Sequence, residues 1–320
     1  MTYKTYIKTS IIYFYFTCYK YNSIFVSKNI LEGSMKIYSS FLIKSVLLLI
    51  FTTGIMLTPF SLIAKEVLTS LKLEQVDDET YAIALTSFDG SIAHGQLKLP
   101  KVKQKSYPVL LSLHGMGRSH NRLWSEEFKG GKTLENTHEL TQIALKNGYA
   151  VIGIDARFHG GRKQKDLGLG KILGDLKQGN SDHYKNMISD TVTDYMVLIE
   201  QLKNVSFLDE NNLSIAGYSM GAQMSLLIAA KNQDISRVFS IVAPAISEDI
   251  EEVSPLHQVS HIEKAKVYLF TSNKDQYSTP EDNVELFNAI YSPNKMRVEF
   301  NGDHILPKLY VSVFEQLWTL

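Results

Sequence analysis

The sequence is almost free of cysteine: one thiol, Cys18, occurs in 320 residues. It lies ahead of every recognisable fold element, so the folded part of the chain would contain no thiol. This excludes disulfide bonds and cysteine catalysis there, and it suits an oxidising compartment. The sequence also lacks internal repeats and low-complexity tracts.

A clustered basic face is missing as well. The formal net charge is zero, but residues 1–64 hold six lysines and one acidic residue, which leaves 27 basic and 32 acidic residues for the remainder. A nucleic-acid partner would require a basic surface, so none is expected. With 44% hydrophobic residues the chain can bury one large core and needs no division into several domains.

An uncharged apolar stretch precedes this core. Residues 45–64 carry no charge and are flanked by Lys44 and Lys65. Twenty such residues predict an export signal or a membrane anchor. A buried core helix is the alternative, disfavoured by Pro59. The expected location is therefore periplasmic, secreted, or membrane-anchored with the domain outside the cytoplasm, with membrane association through residues 45–64.

Met35 fits a true start, because a short basic region and an apolar region follow it. Residues 1–34 then represent mis-assigned upstream translation or a disordered segment, residues 35–64 the signal peptide or anchor, and residues 65–320 the folded domain. Signal-peptide cleavage after Ala64 would require a small residue at position 62, where the chain has a leucine. An uncleaved membrane anchor is therefore an alternative.

A short apolar run at 213–216 stops at GYSMG (217–221) and continues into helix-forming sequence at 222–230. A G-x-S-x-G between a strand and a helix places its serine, here Ser219, at the apex of a strained turn with the hydroxyl exposed. The amide of Met220 would lie beside it, as half of an oxyanion hole. The alternative is a glycine turn with a buried serine.

The other apolar runs alternate with helical patterns. An Asp-Gly pair at 89–90 joins two β-like runs and predicts a hairpin. Strands are further predicted at 107–113, 149–154, 237–242, 267–271 and 296–300, and helices at 133–147, 190–202, 280–290 and 306–320. This order predicts an α/β fold: a mostly parallel central sheet with an N-terminal antiparallel hairpin and helices on both faces.

A serine nucleophile needs a histidine base and a carboxylate that orients it. His304 is the best base, since it directly follows the last predicted strand. His257 and His261 are rivals, but they fall in a crossover segment where surface or capping roles are more common.

Asp275 is the favoured acid, because it follows the carboxyl end of the preceding strand, where functional groups of open α/β sheets collect. A turn or helix cap is the ordinary role of such an aspartate. Asp249 and Glu248 stay open as alternatives, whereas Asp303 adjoins the base in sequence and should point elsewhere.

The second oxyanion donor should follow the strand at 107–113. Gly115 and Gly117 let the backbone turn sharply there, and the Met116 amide is the candidate. His114 is expected to make a structural hydrogen bond.

Five motifs in order, HGMG, DARFHGGR, GYSMG and the loops of Asp275 and His304, resemble the α/β-hydrolase superfamily over residues 79–320. Within it the chain is similar to the esterase, dienelactone-hydrolase and prolyl-oligopeptidase-like groups. The resemblance implies these roles: Ser219 as nucleophile, His304 as base, Asp275 as acid, and the amides of Met116 and Met220 as the oxyanion hole.

The same resemblance implies that Asp155, Arg157 and His159 shape the wall of the site. Many relatives insert a helical lid after the strand at 237–242, but here only residues 243–265 are available. An open site with little or no lid, roofed in part by residues 162–184, is therefore expected, suited to short, accessible esters.

The prediction is a serine hydrolase that cleaves a small-molecule carboxylic ester through an acyl-enzyme, without metal or organic cofactor. Acyl-peptide or thioester hydrolysis and acyl transfer use the same groups and stay open. A non-catalytic binding protein on this scaffold is the rival from another class. The oligomeric state is left open.

Overall fold

The computed structural model describes residues 68–246 and 248–319, without the side chains of Glu248 and Asp249. Their centre is a nine-stranded sheet in the order β1-β2-β3-β7-β4-β8-β9-β10-β11. Its strands are β1 (Ser70–Gln75), β2 (Thr80–Thr86), β3 (Ile92–Lys98), β4 (Tyr107–Leu113), β7 (Ala150–Ile154), β8 (Leu208–Tyr218), β9 (Ile235–Ile241), β10 (Lys266–Ser272) and β11 (Lys295–Phe300). The six neighbouring strands β7, β4, β8, β9, β10 and β11 run parallel to one another. The pairs β1–β2, β2–β3 and β3–β7 are antiparallel. The predicted α/β fold with its antiparallel hairpin is confirmed.

The hairpin closes where the Asp-Gly pair predicts it, between β2 and β3, and Gly90 has a φ of +80°. Glycine adopts this left-handed conformation without the steric cost that a Cβ would bring. The sequence analysis missed β1, which pairs with β2 at the sheet edge. Its residues, SLKLEQ, are half-buried or exposed, so the strand offers no apolar run to detect.

Strand β4 shows why the central strands are uniformly apolar. Val109, Leu111 and Leu113 face one side of the sheet and belong to an apolar cluster that includes buried residues of two helices. Leu110 faces the other side and joins a second apolar cluster. All four are at most 1% exposed. A parallel strand covered on both faces buries consecutive residues, so the alternation typical of a half-exposed strand is absent.

Seven α-helices accompany the sheet in the described part of the chain. They are α1 (Thr137–Lys146), α2 (Leu169–Lys177), α3 (Asp182–Leu202), α4 (Met220–Lys231), α5 (Pro255–Gln258), α6 (Pro280–Ala289) and α7 (Leu309–Trp318). Helices α3 and α4 pack on one face of the sheet, and α1 and α7 on the other. Ten of the twelve residues of α4 are buried, which accounts for its apolar composition.

The segments around the sheet's carboxyl edge are short. The crossover at 243–265 contains only α5 and 3-10 turns, and residues 162–184 contribute α2 and the start of α3. A small ribbon that the sequence analysis missed, β5 (Glu127–Phe128) with β6 (Gly131–Lys132), lies between β4 and α1.

The predictions of an upstream translation at 1–34 and of a signal or anchor at 35–64 lie outside the described residues. Within the described ranges, no helix combines the length and the apolar character needed to span a bilayer.

Candidate active site

Ser219 stands at the junction of β8 and α4, as the sequence predicts. Its backbone has φ 57° and ψ −118°, a conformation that non-glycine residues rarely adopt. Hydrogen bonds on both sides hold it: the Ser219 amide donates to the Ile241 carbonyl at 2.8 Å, and the Gln223 amide donates to the Ser219 carbonyl at 3.0 Å. The side chain is half-buried, so an approaching substrate can reach the hydroxyl.

The two glycines of GYSMG are required by close backbone approach. A Cβ on Gly217 would lie 2.1 Å from the carbonyl oxygen of Gly221, and a Cβ on Gly221 would lie 2.3 Å from the carbonyl oxygen of Leu113. Neither separation is sterically allowed, because the obstructing atoms belong to backbone. The turn therefore brings β4, β8 and α4 close together around the serine.

The structure brings three predicted site residues into one hydrogen-bonded chain. His304 Nε2 lies 2.8 Å from Ser219 Oγ, and His304 Nδ1 lies 3.0 and 2.9 Å from the two carboxylate oxygens of Asp275. When Nδ1 donates its proton to the carboxylate, Nε2 can accept the proton of the serine hydroxyl. Asp275 and His304 are each 8% exposed.

The rivals named from the sequence differ in their positions. His257 and His261 are both exposed, and His261 Nδ1 lies 3.1 Å from the Gln258 carbonyl oxygen. Asp303 accepts a hydrogen bond from the Ile305 amide at 2.9 Å and makes no described hydrogen bond to His304 or Ser219. The side chains of Asp249 and Glu248 lie outside the described residues.

Two tyrosines contact the histidine, and the sequence analysis missed both. The Tyr218 hydroxyl donates to the His304 carbonyl at 2.8 Å, and the Tyr277 ring contacts the imidazole edge-on with centroids 4.7 Å apart. The Tyr277 amide also donates to Asp275 at 2.9 Å. Tyr218 occupies a variable position of G-x-S-x-G, so the motif itself gives no signal for this role.

The loop after β4 passes directly beside the serine. A Cβ on Gly115 would lie 3.7 Å from the Cβ of Ser219. The loop turns through a hydrogen bond from the Arg118 amide to the Gly115 carbonyl, with Gly117 at φ +75°. The Met116 amide has no acceptor among the described residues. On the other side, Met220 is the first residue of α4, where amides lack intrahelical acceptors.

His114 makes structural hydrogen bonds, as expected. Its Nε2 accepts from the Ala156 amide at 3.1 Å and its Nδ1 lies 3.0 Å from the Gly115 carbonyl oxygen, so the ring joins the loops after β4 and β7. Burial, with the neighbouring His159 as a smaller cause, lowers the pKa of His114 to about 3. The ring is therefore neutral at ordinary pH, which its acceptor role requires.

Asp155 forms a second histidine–carboxylate pair, with His120. The Asp155 carboxylate is 2.8 Å from His120 Nδ1 and accepts from the amides of His120 and Gly161. Burial opposes ionisation of Asp155, but these hydrogen bonds outweigh it and lower its pKa to about 2. The carboxylate thus ties the loop after β7 to the loop after β4.

Arg157 connects the same loop to the fold's interior. It donates to Asp194 of α3, which is fully buried, and to Asp89 in the β2–β3 turn. Arg162 pairs with the same Asp194. Although burial alone would lower it, these hydrogen bonds raise the pKa of Arg157 above its ordinary value. Arg157 and Asp155 therefore hold the loop after β7 in place. The sequence analysis missed Asp194, which lies among the apolar residues of α3.

His159 belongs to the same loop. It is buried, its Nδ1 lies 2.7 Å from the Arg157 carbonyl oxygen, and its ring lies 5.2 Å from that of His114. In the part of the chain that the structure describes, no group of three or more His, Cys, Asp or Glu side chains is arranged to hold a metal ion.

Solved structures with this fold include several esterases. An acetyl xylan esterase from Paenibacillus sp. R4 superposes with a TM-score of 0.60 at 17% identity, covering 79% of this chain and 88% of that one. Acetyl xylan esterase 1 from Thermoanaerobacterium sp. JW/SL YS485 gives a TM-score of 0.58 at 19% identity, covering 78% and 88%. An esterase from Pyrococcus furiosus gives 0.54 at 16% identity, covering 78% and 89%. At these identities the likeness shows the fold.

Comparison with sequences is more specific. None of the curated proteins compared with the chain matches it. The family model described as acetyl xylan esterase (AXE1) matches residues 62–249, more than half of the chain, including the nucleophile turn and the loops after β4 and β7. The protein is thus a serine hydrolase of carboxylic esters with the α/β-hydrolase fold, and it belongs to the acetyl xylan esterase family.

Proposed function

We propose that the protein removes acetyl groups from an acetylated carbohydrate, with Ser219 as nucleophile, His304 as base and Asp275 as its orienting acid. The observation that carries the proposal is the continuous contact from the Asp275 carboxylate through His304 to Ser219 Oγ at 2.8 Å, in a chain of this family. The carbohydrate comes from the description of the family, and the short acyl group agrees with a half-buried serine under short crossover segments.

In the first half of the reaction, Ser219 Oγ attacks the ester carbonyl while His304 Nε2 takes the hydroxyl proton. The imidazolium that results is stabilised by Asp275. The carbonyl oxygen becomes an oxyanion, to which the amides of Met116 and Met220 donate. The proximity of Gly115 to Ser219 and the unpaired Met116 amide support this assignment.

Collapse of the tetrahedral intermediate breaks the ester bond. His304 gives its proton to the departing alcohol oxygen, which leaves an acetyl group on Ser219. Water then attacks this acyl-enzyme with His304 again as base, and acetate leaves as the serine hydroxyl is restored. Each amide contact in the oxyanion hole contributes on the order of 3 kcal/mol to transition-state stabilisation in serine hydrolases.

The purified protein should release acetate from acetylated xylan. It should hydrolyse p-nitrophenyl acetate faster than p-nitrophenyl octanoate. Ser219→Ala and His304→Ala should each lower kcat by about 10⁴-fold or more. Ser206→Ala, at an exposed serine outside the site, serves as the control. Retention of activity in Ser219→Ala would refute the assigned nucleophile, and an optimum at long acyl chains would refute the acetyl specificity.

We also propose, from sequence alone, that residues 45–64 export the domain at 65–320 or anchor it in a membrane. Twenty uncharged residues after Lys36 and Lys44 support this. Fractionation of cells that express the full chain, with the mass of the product, tests it. Recovery of the intact chain in the cytoplasmic fraction would overturn the proposal.

A further inference from the structure

A cavity of about 560 Å³ lies beside the proposed oxyanion loop. Gly117, next in sequence to Met116, forms part of its wall. A Cβ on Gly115 would lie 3.7 Å from the Ser219 Cβ, and Gly117 is two residues further along the chain. Because adjacent Cα atoms are about 3.8 Å apart, the cavity wall begins on the order of 10 Å from the nucleophile. None of the proposed catalytic side chains lines it. The cavity is therefore separate from the proposed triad, at a distance that one oligosaccharide molecule can span.

The sheet topology places this cavity on the same functional edge as the triad. Its walls come from the loops that follow the carboxyl ends of β4 and β7 and from His94 of β3, whose carbonyl accepts from the Asp155 amide. Ser219 follows β8, the next neighbour of β4, and the acid and base follow β10 and β11. The cavity and His304 therefore lie on opposite sides of Ser219.

The lining is rich in positive charge. Four cationic side chains, Arg118, Arg122, Lys129 and Lys163, surround the cavity, against one carboxylate, that of Asp155. This local excess contrasts with residues 65–320 as a whole, in which acidic residues outnumber basic ones. Such a concentration of one sign attracts an anion.

Most of this charge is not neutralised by the protein itself. Arg122 donates to the backbone carbonyls of Phe128 and Gly131 and has no carboxylate partner in the described ranges. Lys163 is exposed and has no described ion pair, and the ammonium of Lys129 lies over the Phe128 ring at 5.4 Å. Arg118 alone is paired, with Glu135. The charges of three of the four cations are thus not neutralised by any described carboxylate.

The remaining lining suits a sugar. Ser119, Asn121 and His120 bring hydroxyl, amide and imidazole groups, and Phe128 brings an aromatic ring. Asp155 fixes His120 through Nδ1, at 2.8 Å. The hydrogen-bonding groups match the hydroxyls of a pyranose, while the cations match a carboxylate.

We propose that this cavity binds an acidic sugar residue, one that carries a carboxylate, of the same molecule whose ester is cleaved at Ser219. The proposal rests on the proposed carbohydrate esterase function for its biological meaning. Its binding step requires no catalysis. It can therefore be measured in a Ser219→Ala protein, so that failure of the binding and failure of the esterase function are distinguishable.

Isothermal titration of the Ser219→Ala protein compares glucuronic acid, glucose and inorganic phosphate. Glucuronic acid should bind at least about tenfold more tightly than glucose at low ionic strength, and this preference should shrink as salt screens the charges. Equal binding of glucose and glucuronic acid would overturn the proposal. Tighter binding of phosphate than of glucuronic acid would identify a phosphate site and overturn it as well.

The charge assignment is tested by a pair of double variants in the Ser219→Ala background. Lys129→Gln with Lys163→Gln removes two exposed cavity lysines that make no described hydrogen bond, and it should weaken glucuronic acid binding at least about threefold. Lys101→Gln with Lys103→Gln removes the same charge from the β3–β4 loop, at the opposite edge of the sheet, and should leave binding unchanged. Equal effects of the two double variants would refute a local site.

In the active protein the same cavity variant should raise the KM for acetylated oligosaccharides that carry a glucuronic acid branch by a larger factor than the KM for unbranched ones. An equal rise for both substrates would contradict a specific carboxylate contact.

Discussion

The side-chain hydroxyl of Tyr218 donates a hydrogen bond of 2.8 Å to the backbone carbonyl of His304 and accepts one of 3.0 Å from the Leu306 amide. The residue before the proposed nucleophile therefore holds the backbone of the proposed base. Burial raises the pKa of Tyr218 above its usual value, so the hydroxyl stays protonated and can donate throughout the ordinary pH range.

Tyr218→Phe should separate positioning from stability. The buried Leu306 amide and His304 carbonyl lose their partner, which should cost about 1–3 kcal/mol in unfolding free energy. The freed loop should also lower kcat on p-nitrophenyl acetate about tenfold, with little change in KM. Urea unfolding and steady-state kinetics measure the two effects.

Tyr310→Phe is the matched control. The Tyr310 hydroxyl is fully buried and donates to the Glu135 carbonyl, but it makes no described hydrogen bond to the triad. It should destabilise the fold to a similar degree and leave kcat unchanged. An equal drop of kcat in both variants would contradict a specific role for Tyr218.

Asp275→Asn should lower kcat by about 10³–10⁴-fold with the fold intact. An amide in place of the carboxylate no longer stabilises the imidazolium and favours the wrong imidazole tautomer. Asp303→Asn, next to the base in sequence, preserves an acceptor for the Ile305 amide and should keep full activity. The two variants are compared by kcat and by thermal unfolding, and a large loss of kcat in Asp303→Asn alone would reverse the assignment.

The positions of Ser219, Asp275 and His304 at the strand ends could be predicted, because local sequence patterns mark each of them. A glycine-flanked serine between a strand and a helix, and a histidine after the last strand, are local patterns. Their convergence follows from parallel strands that share one edge. The strand at Tyr107–Leu113 was predicted with its observed bounds, since a doubly buried strand is apolar throughout.

The supporting contacts could not be predicted from the sequence, because they join residues that no local pattern relates. Tyr218 and His304 are 86 positions apart, and Arg157 and Asp194 are 37 apart. One weak signal existed: Asp194 falls among the buried positions of α3, where an unpaired carboxylate would be costly. A charge on an apolar helix face demands a partner, but the sequence does not identify which arginine supplies it.

Gly217→Ala should disrupt the nucleophile turn. Its Cβ would lie 2.1 Å from the Gly221 carbonyl oxygen and 2.7 Å from the Ala222 nitrogen, so the backbone of α4 must shift. We expect a loss of at least about 3 kcal/mol in unfolding free energy, or a failure to fold. Gly174→Ala, in the middle of α2 with no atom within 4 Å of the added Cβ, should stabilise the protein by about 0.5–1 kcal/mol. Urea unfolding measures the unfolding free energy of both variants. An equal unfolding free energy for Gly217→Ala and Gly174→Ala would contradict the steric argument.

His114 should make the stability of the fold fall with acid. Its pKa is lowered to about 3 in the folded protein, chiefly by burial, against 6.5 for an ordinary histidine. Between these values the unfolded chain binds a proton that the folded protein does not. Unfolding free energy should therefore fall by about 1.4 kcal/mol per pH unit as the pH drops from 6.5 toward 3, and the contribution is complete above pH 6.5.

His114→Gln keeps a side-chain oxygen to accept from the Ala156 amide but cannot titrate. The variant should be less stable than the parent at pH 7, because the second hydrogen bond and the fit of the ring are lost. Between pH 5 and 6.5 its unfolding free energy should change less steeply with pH than that of the parent, by up to about 1.4 kcal/mol per pH unit, because the unfolded chain no longer gains that proton. Urea unfolding at a series of pH values measures these slopes. Parallel curves of unfolding free energy against pH for His114→Gln and the parent would contradict the prediction, because they would show that the buried ring takes up its proton in the folded state. A charged imidazole would then connect the loops after β4 and β7.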